Sequence, residues 1–156
     1  MVRGFFIKLF TDDNEPFSLY ILLADCFPLL TASDRQVLEK DYTGSEIKEG
    51  LFDMNPFKAP RPDGFQALFF QRYWNLAGNQ LIILATKVLR GEELPDKLNE
   101  AFLALILKVD HPQMVTQLHP IGLCNVAYKV ITKCLVNRLK AIIGKLISPA
   151  QSSFVP

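Results

Sequence analysis

Only three cysteines, two histidines and one tryptophan occur in the 156 residues. Cys26, Cys124 and Cys134 are an odd number without paired spacing, which suits reduced thiols inside a cell better than a disulfide framework. His111, His119 and Cys124 could be drawn together, but there is no Cys-x-x-Cys or His-x-x-x-His pair, so no metal ligand set is assigned. No window holds the roughly 18 consecutive apolar residues of a membrane span. "FLALIL" (Phe102–Leu107) is only strand length. The opening "MVRGFFIKLF" lacks a small-residue cleavage site and runs into Asp12–Asp13, so it does not read as a secretory signal. The expected location is intracellular, nuclear or cytoplasmic, with no membrane partner. Internal repeats, low-complexity tracts, a glycine-rich phosphate loop and a visible Ser/His/Asp arrangement are also missing, and no catalytic residue is assigned.

Apolar residues make up 49% of the chain, enough for a core, and the length suits one domain burying about two-thirds of its unfolded surface. Charge is unevenly placed. Residues 1–100 carry 11 Lys and Arg against 15 Asp and Glu, whereas residues 101–156 carry 6 against Asp110 alone. A basic C-terminal third points to an anionic partner, nucleic acid or nucleotide, although an ordinary solvated helix back would give the same excess.

Residues Phe17–Leu30 read as an apolar helical segment stopped near Pro28, and a second helix is expected over Asp34–Lys40. "TGSE" (Thr43–Glu46) is a capping-box pattern that opens a short helix with Ile47, Leu51 and Met54 on one face. The stiff connector "NPFKAPRPDGF" follows, with Asp63 expected to cap the next helix and Gly64 in its first turn. A further helix is predicted over Asn79–Arg90 with Gly91 as its left-handed cap. Ala101–Val109 and Gln117–Cys124 are the arms of a hairpin. Asn125 caps a long helix from Val126 to about Leu146, with Val130, Cys134, Leu135, Ile142, Ile143 and Leu146 as its apolar stripe. The predicted class is therefore mostly α with a small β-hairpin, α+β.

"FTDD" (Phe10–Asp13) has the form in which nucleotide polymerases hold two divalent ions, but such a pair should hang from a β-hairpin and helix-like sequence follows here, so a polar turn or helix start is the stronger reading. Lys108 closes its strand, where a solvated role is the commoner one. The lysines of the last helix, Lys129 and Lys133 among them, could back an apolar stripe or face an anion.

The stretches "EIKEGLFDMNPFKAPRPDGFQALFFQRYW", "LPDKLNEAFLALILKVDHP", "LHPIGLCNVAYKVITKCLVNRL" and "LISPAQSSFVP" occur in that order. Together they resemble the amino-terminal part of the reverse transcriptase of LINE-type (non-LTR) retrotransposons, of the kind abundant in plant genomes. The resemblance is firm from about Asp41 to Pro156 and loose before. It implies part of a right-hand polymerase: a helical amino-terminal segment (1–44), a helical extension with the Lys58–Gly64 connector (45–100), and the fingers hairpin with a basic amphipathic helix (101–156), truncated before the palm. The family's metal-binding aspartates come beyond the equivalent of Pro156, which makes "FTDD" a decoy. By resemblance the full-length enzyme uses Mg2+, template-primer RNA or DNA, dNTP and a palm domain, whereas this portion carries no cofactor and is silent by itself.

The nucleotide- or nucleic-acid-binding candidates implied are Lys58, Lys108, His119, Lys129 and Lys133. Three departures stand out. Arg61 occupies a connector position usually glycine, Leu107 one usually proline, and His119 one usually an arginine that contacts the incoming phosphates. A mostly neutral imidazole does not reproduce a charged bidentate fork. The expectation is a decayed or truncated copy with weak nucleic-acid or dNTP contact. A non-enzymatic helical interaction module with an exposed apolar face is the alternative.

Overall fold

The computed structural model describes residues 2–11, 29–58 and 62–147. It is mostly helical with one antiparallel hairpin, the α+β class expected. The Phe17–Leu30 segment (but for its last two residues), Asp12–Asp13, Cys26, Arg61 and the final "SPAQSSFVP" lie outside the described residues.

The chain divides into two compact units. The smaller contains helix α1 (Val2–Phe10) together with most of the hairpin, residues 103–121. In α1, Phe6 is buried, with Phe5 edge-on at 5.2 Å and Phe10 stacked at 6.1 Å. Strands β1 (Ala101–Leu107) and β2 (Leu118–Cys124) pair, and the Lys108 amide donates to the Gln117 carbonyl at 2.9 Å. Both strands are short; β1 is largely exposed and β2 about half-exposed along its length.

The larger unit is a helical body. Helix α2 (Ala32–Glu39) starts two residues before the predicted Asp34, because Thr31 and Asp34 form a capping box that sequence reading did not pick out. Helix α3 (Gly44–Phe52) begins as predicted: the Thr43 amide donates to Glu46 Oε2 at 2.8 Å and the Glu46 amide returns to Thr43 Oγ1. Ile47 and Leu51 are fully buried on its inner face, with Met54 packed beside them.

The connector corrects the expectation for Asp63. Its Oδ1 accepts the Phe65 amide at 3.1 Å in a local turn, Gly64 has φ +74°, and helix α4 (Ala67–Arg72) starts only after Gln66, without a side-chain cap. Helix α5 (Trp74–Leu89) also starts earlier than Asn79. A Cβ at Gly78 would lie 2.8 Å from the Trp74 ring, so the bare glycine leaves room for the indole to lie along its own helix. At the far end Gly91 (φ +90°) is the predicted cap. Its amide donates to the Val88 carbonyl and the Glu92 amide to the Lys87 carbonyl, a Schellman closure.

Helix α6 (Val126–Leu146) is the spine of this unit and packs most extensively against α3 and α5. Val126, Val130, Ile131 and Cys134 join Ile47, Leu51, Ala67, Leu81 and Ala85 in one core. Two details differ from the predicted stripe. Leu135 is 43% exposed, and Ile131 is buried instead. Asn125 stands at the N-cap position but does not cap. Its amide nitrogen donates to the carbonyls of Lys97 and Leu98, tying α6 to the preceding loop, while its buried Oδ1 has no partner. Lys97 adopts φ 67°, a left-handed conformation unusual for a side chain with a Cβ, at the carbonyl that Asn125 holds.

Candidate nucleic-acid interface

The five residues singled out in the sequence fall into two groups. Lys108 and His119 belong to the hairpin unit. The register set by the Lys108–Gln117 bond places His119 opposite Ile106, so Lys108 and His119 share one face of the ladder. Both are exposed, and Lys108 Nζ donates to the Thr116 carbonyl at 3.1 Å, which closes the hairpin end.

Lys58, Lys129 and Lys133 come together in the helical unit around an open concavity of about 400 Å³. Local chemistry puts each there. The first turn of the connector is held by Asn55 Oδ1, which accepts the Phe57 amide at 2.9 Å. Gln66 Nε2, just before α4, donates to the Lys58 carbonyl, and Gln71 Nε2 of α4 to the carbonyls of Leu51 and Met54. Lys58 is thus fixed by backbone anchors on both sides of Pro56. Lys129 and Lys133 are one helical turn apart on α6 and so share a face. Lys133 Nζ lies 3.7 Å from Asp53 Oδ2, a part-exposed ion pair worth little by itself. Met54 and Val136 give the concavity an apolar lining, and Thr132 and Asn55 add polar groups. Among the described residues, three lysines and one carboxylate line it.

The strongest electrostatic centre is one the sequence reading did not single out. Arg138, 7% exposed, lies on the buried side of α6, between Cys134 and Ile142 at four-residue spacing. Its Nε donates to Glu46 Oε1 at 2.9 Å and Nη2 to Oε2 at 3.2 Å, a two-point pair. The remaining donors reach the carbonyl of Leu38 in the last turn of α2 and those of Lys40 and Asp41 just beyond it, and the guanidinium stacks 3.4 Å over the Tyr42 ring. The signal was available: an arginine on the Val130–Cys134–Ile142 row must be buried with partners. A second tie runs from Lys145 Nζ to Asp34 Oδ1 at 2.6 Å.

These bonds move the carboxyls. Arg138 holds Glu46 down from 4.5 to about 2, and Lys145, with Thr31, holds Asp34 down from 3.8 to about 2. The bond to Glu46 raises Arg138 further, and burial raises Tyr42. Burial lifts the Cys134 thiol to about 11, so it is unreactive at neutral pH. Both carboxylates favour the folded state only when ionised. Their contribution is therefore complete above about pH 5 and is lost as pH falls toward about 2. Thermal melts followed by circular dichroism are expected to show a level midpoint from neutrality to about pH 5 and a decline below it. Glu46→Gln is expected to flatten that decline, and a midpoint that rises on acidification would contradict the assignment.

Among the described residues no group of three or more His, Cys, Asp and Glu converges to hold a metal ion, and no helix is long and apolar enough to cross a membrane. No protein-family model matches the chain. Over 154 residues, 99% of its length, the chain is 29% identical to the transposon TX1 uncharacterized 149 kDa protein of Xenopus laevis. The chain is similar to a transposon protein. It spans 12% of that relative's length.

Proposed function

We propose that the chain is the fingers-side part of a non-LTR retrotransposon reverse transcriptase, contributing nucleic-acid contact and no chemistry of its own. The observation that carries this reading is the similarity to a transposon protein along 99% of the chain. It is supported by the order of the motifs and by the three predicted lysines around one concavity. The β1–β2 hairpin corresponds to the fingers hairpin and α6 to the helix leading toward the palm.

Two measurements test the reading. Primer extension by the purified chain on an RNA template with Mg2+ is expected to show no product, and clear extension would refute the assignment of silence. Binding to a single-stranded oligonucleotide is expected to weaken with salt, with a log K against log salt slope of about −2 for three lysine contacts. A salt-independent interaction would contradict it.

A second reading, an apolar interaction module, is favoured by the hairpin unit. Leu103, Ile106 and Leu107 are all exposed, Leu107 at 56%, and α1 with β1 lines a groove of about 610 Å³ with Phe6, Phe10, Leu103 and Leu105. Exposed apolar patches of this kind mark contact surfaces. Size-exclusion chromatography separates the two: concentration-dependent association without nucleic-acid binding supports the module, and a monomer that binds nucleic acid supports the polymerase part.

A further inference from the structure

We infer that the concavity between the connector and α6 receives one unpaired nucleotide of a single strand, its base on the apolar lining and its phosphates against the lysine rim. The inference rests on the nucleic-acid reading above and specifies its ligand. Lysines facing a duplex need only a flat or ridged surface, because a duplex presents phosphates outward and keeps its bases stacked within. Here the lysines surround a hollow of about 400 Å³, far larger than a phosphate group and within the size range of small-ligand sites. Among its eight lining residues, Met54 and Val136 are the apolar ones and lie beside the lysine stems. A thioether is a favourable neighbour for an aromatic ring, and a β-branched side chain on the facing helix supplies the other contact. A base can use such a lining only when it is unpaired and turned out of its stack.

The polar groups fit the same ligand. Asn55 Oδ1 is committed to the Phe57 amide, so this side chain can offer its NH2 to a base or sugar oxygen. Thr132 Oγ1 donates to the Lys129 carbonyl at 3.0 Å and can still accept from a hydroxyl. With no pair of groups arranged for bidentate reading of a base edge, selectivity among bases is expected to be slight. Asp53, 3.7 Å from Lys133, opposes a phosphate and limits affinity. Beside the concavity the backbone is anchored at Leu51, Met54 and Lys58 by Gln71 and Gln66, which lowers the ordering that accompanies entry of the ligand.

The test is fluorescence anisotropy of the full chain with a short labelled oligouridylate, the same strand bearing abasic residues, and a duplex of equal length, all at low salt. The intact strand is expected to bind about fivefold tighter than the abasic strand, the low end of what a base contact contributes. Val136→Ser, on an exposed part of α6, is expected to bring the intact strand down to the abasic level and leave the abasic strand unchanged. Lys133→Ala is expected to weaken both strands equally and reduce the salt slope by about 1. Asp53→Asn is expected to strengthen both about twofold, through the repulsion it removes. Equal binding of intact and abasic strands, or a duplex bound as tightly as the single strand, overturns the nucleotide pocket and leaves phosphate contact standing. Competition by free uridine monophosphate at the affinity of the strand would also overturn it, since the ligand would then be a free nucleotide. No binding to any of the three would overturn the nucleic-acid reading itself.

Discussion

Arg138→Ala is expected to lower the free energy of unfolding by about 3–5 kcal/mol, the cost of breaking a buried ion pair from one side. Few single changes in this chain should do more. The guanidinium is 7% exposed and joins Glu46 of α3, three carbonyls at the end of α2 and the Tyr42 ring. Removing it takes away the cation that holds Glu46 near 2 and the donor that the carbonyls of Leu38, Lys40 and Asp41 accept from. Arg138→Lys should recover only part of the loss. An ammonium has three donors on a flexible stem and cannot form the two-point pair while stacking on Tyr42. Urea unfolding of the two variants against the parent measures this. A loss below about 1 kcal/mol for Arg138→Ala would mean that the network is incidental to the α2–α3–α6 assembly.

Leu51→Ala is expected to cost about 2–5 kcal/mol, as large-to-small changes in tight cores do. Leu51 is fully buried on α3 in the cluster shared with α4, α5 and α6. The surroundings cannot collapse easily onto the void, because its backbone carbonyl is also held by Gln71 from α4. Leu135→Ala provides the control. Hydrophobic pattern alone places Leu135 in the α6 stripe, yet it is 43% exposed, and its truncation should stay within about 0.5 kcal/mol. Comparable losses from both variants in the same urea series would show that α6 packs with a different face inward.

How far the sequence was readable depended on how local the deciding interactions were. The Thr43–Glu46 box, the Schellman glycine Gly91, the hairpin arms and the bounds of α6 rest on groups a few residues apart, and each stands where it was expected. Asp63 misled because an aspartate accepts the amide two residues on both in a helix cap and in an isolated turn. The choice between them was made by Gln66 and Gln71, whose partners are contributed by the connector and α3. Asn125 misled for a related reason: its amide found loop carbonyls at Lys97 and Leu98 in place of its own helix.

The candidate site divides in the same way. Each of the five residues was visible as a cation or imidazole at the edge of a motif, and the charge imbalance of residues 101–156 indicated an anionic partner. Nothing in the order of residues said that Lys58 would stand beside Lys129 and Lys133, or that Lys108 and His119 would belong to a separate unit. The sequence by itself determined α3, α6, the Gly91 cap and the hairpin, because caps, turns and periodicity act over a few residues, whereas it did not place the starts of α2, α4 and α5. Only the tertiary structure decided which lysines share a concavity and why Arg138 is buried. Its partner Glu46 is 92 residues away, and a guanidinium so placed is tolerable only once that carboxylate and the α2 carbonyls have been brought to it.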